Sequence, residues 1–185
     1  VGEGEELAVL DLDALPRRVT DDAVEAGGFA FLEDSREGSG PVERVGIDAR
    51  HTVIWHVYPL GFVGAEPTCA AAEAPRHRLP RIAGWLDYLV ELGANVLQLG
   101  PVFDSETHGY DPRDHFRLDP RLGDDDDLTA LVEAAHARGV GVVLDGVFNH
   151  VGRSFPMFSR AEAGDDLAAA WFRRDGDDWA VFEGH

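Results

Sequence analysis

Three short apolar runs separated by two helical stripes constrain this chain more than any other feature. Thr52–Tyr58 (TVIWHVY) is β-branched and aromatic and stops at Pro59, as a buried strand does. Residues 79–92 then carry Ile82, Trp85, Leu86, Leu89 and Val90 at i, i+3, i+4, i+7 and i+8, the spacing of one helical face. Pro80 suits the first turn of that helix, and Gly93 suits the position just past its last. A second strand is expected over Asn95–Leu99, ending at Gly100-Pro101. Asp124–Asp127 opens a second helix, because carboxylates are favoured at the positive end of a helix dipole. Its stripe is Leu128, Leu131, Val132 and Ala135, and Gly139 closes it. Val140–Leu144 (VGVVL) is a third strand, continuously apolar as parallel strands covered on both faces are.

The order is βαβαβ, with right-handed crossovers as the default. Two α/β architectures accept it, a doubly wound sheet and a TIM (β/α)8 barrel. A barrel takes about 250 residues, and the chain has 185. On the barrel reading it therefore holds the N-terminal three βα units of a truncated barrel. The expected organisation is an N-terminal extension of unclear structure over 1–50, the βα units over 51–150, and an incomplete excursion after the third strand over 151–185. Within the extension, Leu7–Leu12 suits a short strand and Glu33–Gly40 a loop. Asp11-Leu12-Asp13 is expected to be a solvated strand end rather than a working acidic pair.

Composition removes several function classes. Against 35 Asp+Glu stand 16 Lys+Arg, a formal net charge of −19. Such a surface repels phosphate backbones and anionic lipid, so neither nucleic acid nor a membrane is an expected partner. Every one of the 16 cations is Arg, which removes Schiff-base and P-loop lysine chemistry from these residues. Cys69 is the single cysteine and makes neither a disulfide framework nor a Cys-rich zinc site. The longest apolar run near the start, Leu7–Leu10, is too short for a signal peptide or a membrane span. A cytoplasmic location is the corresponding expectation.

In either architecture function gathers at the carboxyl ends of the parallel strands. Beyond the third strand lies Asp145-Gly146-Val147-Phe148-Asn149-His150. Three polar side chains at the rim of an apolar strand need partners, since burying them unpaired costs a few kcal/mol each. Beyond the second strand lies Thr107–Gly123 (THGYDPRDHFRLDPRLG), where aromatic rings, His, carboxylates and Arg share a Gly- and Pro-punctuated loop. Stacking faces beside dense hydrogen-bonding groups suit a sugar. An ordinary long loop of this composition would instead pack Tyr110 down and leave Asp111–Arg113 solvated.

Taken in order, these segments resemble the α-amylase superfamily, glycoside hydrolase family 13. The resemblance runs over residues 53–158: VIWHVYPLGF, GANVLQLGPVF, HGYDPRDHFRLDPRLG and GVGVVLDGVFNH, the last carrying the family's D-x-V-x-N-H as DGVFNH. It implies a retaining α-glycosidase acting on α-glucan oligosaccharides or polysaccharides, through a covalent glycosyl-enzyme. Residue by residue, it implies that Tyr110 stacks on the glucose at the cleavage subsite and that Asp111 bonds that sugar's hydroxyls. His150 would hydrogen-bond the same glucose, and Asp145 would orient its neighbours. Asn149 matches a position that often ligates a structural Ca²⁺.

In the resembled family the nucleophilic Asp follows the fourth strand in a G-x-R-x-D context, and the acid/base Glu follows the fifth. No G-x-R-x-D follows His150, and Glu183 lies in the wrong segment. Both catalytic carboxylates are thus expected beyond His185, and the 185 residues alone are expected to be inactive. A transglycosylase or isomerase of the same family, and a non-catalytic binding subunit, are the alternatives.

Overall fold

The computed structural model describes residues 8–9, 47, 50–70 and 74–182. Its centre is a parallel sheet of three strands paired in chain order: β2 (Ile54–Val57), β3 (Val96–Leu99) and β4 (Gly141–Leu144). Register sets Val57 beside Leu99 and Leu99 beside Leu144. The carboxyl edge of the sheet therefore begins at Tyr58, Gly100 and Asp145. At the opposite edge, Asn95 latches the sheet, its Oδ1 accepting from Val53 N at 2.8 Å and its Nδ2 donating to His51 O.

Between β2 and β3 run α1 (Pro59–Phe62), α2 (Pro80–Ala83) and α3 (Leu86–Glu91). The single helix expected over 79–92 is thus two. At Gly84-Trp85 the ladder tightens, with Trp85 N donating to Ile82 O rather than to the carbonyl four residues back. It resumes with Leu89 N on Trp85 O. The buried stripe shrinks to Ile82, Leu86 and Leu89, while Trp85 and Val90 face outward. Pro80 at the helix start and Gly93 in the left-handed region (φ 79°) stand where the spacing predicts.

Between β3 and β4 lies α4 (Asp125–His136). Its carboxylates do more than favour the dipole. Asp124 accepts from Asp127 N while Asp127 accepts from Asp124 N, a reciprocal capping box. Leu131 and Ala135 pack into the core with Val57, Leu97 and Leu99.

β3 is covered on both faces, but the outer strands are not. Ile54 on β2 is 52% exposed, and Val143 and Leu144 on β4 are also exposed. The two-sided cover expected for the third strand thus reaches only its start, at Val140 and Gly141.

After β4 the chain builds a second small core. β1 (Ala8–Val9) pairs antiparallel with β5 (His150–Val151). This is the described part of the strand expected over Leu7–Leu12; Asp11–Asp13 and Glu33–Gly40 lie outside the described residues. α5 (Pro156–Glu162), α6 (Asp166–Ala169) and the hairpin of β6 (Arg174–Asp175) with β7 (Asp178–Trp179) close around Val151, Phe158, Ala161, Ala168 and Phe172. The Phe158 and Phe172 rings meet edge to face at 5.0 Å. Among the described residues no helix is long and apolar enough to cross a membrane.

Position in the sheet sets what a truncation costs. Leu97→Ala, at a fully buried site on the central strand, should lower stability by about 2–5 kcal/mol. Ile54→Ala, on the half-covered outer strand, should lower it far less. Urea unfolding of the two variants checks the ranking, and equal losses would contradict it.

Candidate functional site

The loop that follows β3 is held by a buried framework of charge. Arg121 is 0% exposed. Its Nε and Nη2 donate to Asp119, and Nη2 also donates to Ser105 Oγ. Nη1 donates to the carbonyls of Glu66 and Thr107. A second buried carboxylate, Asp104, accepts from both Arg113 and Arg117. The ordinary-loop alternative, with Asp111–Arg113 solvated, does not hold: Asp111 and Arg113 are both buried, and the two terminal nitrogens of Arg113 donate to the Cys69 carbonyl and to Asp104.

Outside this framework Glu66 receives Arg78 on both oxygens, at 2.7 and 2.8 Å, and Arg76 on one. The Arg78 hydrogen bonds chiefly, with the Glu66 backbone amide and the nearby charges helping, hold its carboxyl down from 4.5 to about 2.

Two glycines let the loop approach its neighbours. Gly109 has φ 92°, and a Cβ there would stand 3.0 Å from Pro101 Cβ. A Cβ on Gly152 would come within 2.4 Å of Glu106 Oε1 and 2.8 Å of the Asp111 carbonyl. Glu106 in turn accepts from Ser154 N and Oγ. The loop after β3 and the segment after β4 are thus tied face to face.

Three expected site residues, Tyr110, Asp145 and His150, come together at the carboxyl edge, while the fourth, Asp111, is buried and turned back into its own loop. Tyr110 Oη donates to Asp145 Oδ2 at 3.3 Å, and Tyr110 O lies 2.9 Å from His150 Nε2. Asp111 Oδ2 accepts from Thr107 N and Oγ1, both at 2.7 Å. His150 is 7% exposed, and its ring lies on Phe182 with centroids 4.3 Å apart. Burial, with the Asp145 charge, pushes the Tyr110 phenol up, so it stays a neutral donor.

Two residues at this edge have no role in the sequence reading. Tyr58, next after β2, donates its Oη to His108 O at 3.0 Å, and its phenol is also pushed up, mainly by burial. His108 Nδ1 lies 3.1 Å from Tyr110 N. The available signal was position: Tyr58 is the first residue past a strand, the place where a side chain reaches this rim.

Asn149 is exposed, and its side-chain amide faces His150 Nδ1 at 3.4 Å. A calcium ion takes six to eight oxygens, and one amide beside an imidazole does not make that set. Asn149 Oδ1 would supply one of those oxygens, and among the described residues no group of three His or acidic ligands forms beside it. Among the described residues the acidic run at α4 makes a close group of three donors with His77. Asp127 there is already engaged by the cap and by His77 at 2.7 Å.

Two measurements bear on the framework. Asp119→Ala strands the Arg121 cation in the interior and should cost about 3–5 kcal/mol, read by chemical unfolding. The Glu66 contribution has a pH signature. Its carboxyl is depressed in the fold, so the stabilisation is complete above about pH 4.5 and fades as pH falls toward 2. Wild type and Glu66→Gln should differ in stability at neutral pH and converge near pH 2. A gap unchanged by acid would refute the assignment.

Comparison with known proteins locates this arrangement. A family model described as the α-amylase catalytic domain matches residues 71–181. A cyclomaltodextrinase from Bacillus sp is 50% identical over 101 residues, covering 54% of this chain and 17% of that protein. The α-amylase MalA of Haloarcula japonica is 35% identical over 178 residues, covering 85% of this chain and 26% of its own length. The ligand-free cyclic α-maltosyl-(1→6)-maltose hydrolase of Arthrobacter globiformis superposes with a TM-score of 0.54 at 32% identity, over 65% of this chain and 30% of that one. The chain thus spans about a quarter or less of the length of these curated relatives. A matched catalytic-domain segment that carries Tyr110, Asp145 and His150 on one parallel-sheet edge is sufficient: this chain belongs to the α-amylase superfamily, glycoside hydrolase family 13.

Proposed function

We propose that residues 51–150 form the first three βα units of a (β/α)8 barrel, and that Tyr110, Asp111, Asp145 and His150 build the glucose-binding wall of its cleavage subsite. The observation that carries the reading is the convergence of Tyr110, Asp145 and His150 at the carboxyl edge of a parallel sheet, inside the segment that the family model covers. Exposed apolar side chains on both outer strands, Ile54 on one side and Leu144 on the other, support further strands there, since a barrel leaves no open edge. The second small core over 151–182 is read as part of the excursion that follows the third strand.

In this reading the substrate is an α-glucan or α-glucoside. Tyr110 offers a ring face to the apolar C–H surface of a glucose unit. Asp145, fixed by the Tyr110 phenol, and His150 bring polar groups to the same ring. Retaining hydrolysis needs two carboxyl groups about 5–5.5 Å apart, one as nucleophile and one as acid/base. We assign neither to these residues: no G-x-R-x-D follows His150 in the sequence. The whole protein is read as a glycosidase, with the 185 residues contributing sugar binding and no turnover. The relatives support this class by name, among them a neopullulanase from Thermoactinomyces vulgaris and an intracellular maltogenic amylase from Bacillus subtilis. The latter also supports a cytoplasmic location.

The test has two parts. Residues 1–185 should release no glucose or p-nitrophenol from maltose or an aryl α-glucoside, and measurable turnover would overturn the division of labour. Maltotriose should perturb the Tyr110 resonances, and Tyr110→Ala should weaken it by about five- to tenfold, on the order of 1 kcal/mol for a lost stacking face. Unchanged affinity in that variant would sink the assignment of the ring.

A further inference from the structure

One polar atom beside the candidate site is left without a partner. Asp111 is 1% exposed, and both hydrogen bonds from Thr107 go to its Oδ2. Oδ1 is buried and accepts nothing. An unmet buried carboxylate oxygen is costly. A basic atom stands close by: His108 Nδ1 is 3.7 Å from Oδ1, on a side chain 52% exposed to water. That same Nδ1 lies 3.1 Å from Tyr110 N.

The amide defines the tautomer. Tyr110 N–H can only donate, so Nδ1 carries its lone pair and the neutral ring has its proton on Nε2. A proton taken up from water at Nδ1 reverses both relations. The imidazolium can no longer accept from Tyr110 N. It can donate to Asp111 Oδ1, and a small rotation of the ring closes 3.7 Å to a hydrogen bond. The orphaned oxygen then gains a charge-assisted partner, and Tyr110 loses one of its backbone anchors.

We propose that His108 is a positioning residue for Tyr110: neutral, it holds the Tyr110 amide and with it the ring; protonated, it turns to Asp111 Oδ1 and releases that amide. The consequence for sugar rests on the reading of Tyr110 given under Proposed function, whereas the exchange of partners rests on the geometry alone.

Among the described residues the following charged and titratable groups face this loop. From the end of β2, Tyr58 Oη donates to His108 O. From the end of β4, Asp145 accepts from Tyr110 Oη. Within the loop, Arg121, paired with Asp119, holds the Thr107 carbonyl, and from β5 His150 Nε2 meets Tyr110 O. The Tyr58 and Tyr110 phenols are both pushed up, mainly by burial, so they stay neutral while imidazoles titrate. His150 is thus a second imidazole bonded to Tyr110, and the experiment must separate the two.

Nitrogen-15 NMR of the 185-residue chain between about pH 5 and 8 does so. The neutral His108 ring should show the Nε2–H tautomer, and the Tyr110 amide should shift with the same midpoint as the His108 ring. His108→Gln, whose carbonyl can still accept from Tyr110 N, should abolish that inflection. Asp111→Asn should move the inflection to lower pH, because its amide donates toward Nδ1 and favours the neutral ring. An Nδ1–H tautomer in the wild type would overturn the proposal, as would a Tyr110 amide that ignores the His108 midpoint. So would an inflection that survives His108→Gln, which would belong to His150. Should His108→Gln fail to fold, the wild-type tautomer and Asp111→Asn decide the matter. Maltotriose affinity should fall several-fold below the His108 midpoint in wild type, and His108→Gln should lose the step at that midpoint. No maltotriose response at any pH would instead overturn the sugar reading, leaving the amide titration to judge the positioning role.

Discussion

The Arg121 guanidinium is the interaction on which the rest of this edge depends. It is wholly buried, and it engages Asp119, Ser105 and the carbonyls of Glu66 and Thr107 together. One cation thereby fixes three stretches of chain that are far apart in sequence. Thr107, whose carbonyl it holds, supplies both donors to Asp111 Oδ2, and Tyr110 is the residue next to Asp111. The chain of constraint runs from a salt bridge in the interior to the ring at the rim. Removing two charges from water is expensive, and a bare buried ion pair is often no better than its replacement by apolar side chains of equal volume. What such a replacement could not do is orient five donors at once, and orientation is what a site needs.

Helix–sheet packing does a different job. Val96, Leu97 and Leu99 of β3 and the stripe of Ile82, Leu86 and Leu89 hold the sheet, and they set where its carboxyl edge lies. They place Tyr58, Gly100 and Asp145 in a row by register alone. The loop is then referred to that row by hydrogen bonds: Tyr58 to His108, Tyr110 to Asp145, His150 to the Tyr110 carbonyl. Apolar burial thus supplies the floor of the site, and polar contacts aim the side chains above it.

What was legible in the sequence follows this division. Periodicity shows the strands, the two helical regions and the closing glycines, because each reflects a local rule. It overstates the first helical region, since it counts Trp85 and Val90 as core without knowing whether anything lies opposite them. It also cannot see that the ladder tightens at Gly84-Trp85. The loop was the harder case. Composition reads charges as solvated, yet Arg113 is buried against Asp104 and Asp111 is held by Thr107. Those partners are set by a fold, not by a window of residues. Tyr110, Asp145 and His150 could be named in advance because they stand just past strand ends or inside a motif. His108 could not, because its part depends on one carboxylate oxygen being unmet.

The same contrast bears on two of the sixteen cations, all of which are arginine. The chain carries a large negative excess, and several of its cations are used inside or against the framework rather than spread over the surface. Arg113 and Arg121 are buried against Asp104 and Asp119, and Arg78 and Arg76 hold Glu66. A lysine ammonium is a compact point charge, strongly hydrated, and presents no planar fork. At position 121 it would leave at least one of Asp119, Ser105 and the two carbonyls without a donor in the interior. Arginine suits position 121 because its five N–H donors meet every acceptor around it. Each of these buried arginines, Arg113 and Arg121, takes an aspartate inside with it, so the acidic excess of the surface comes from the 35 carboxylates against 16 cations.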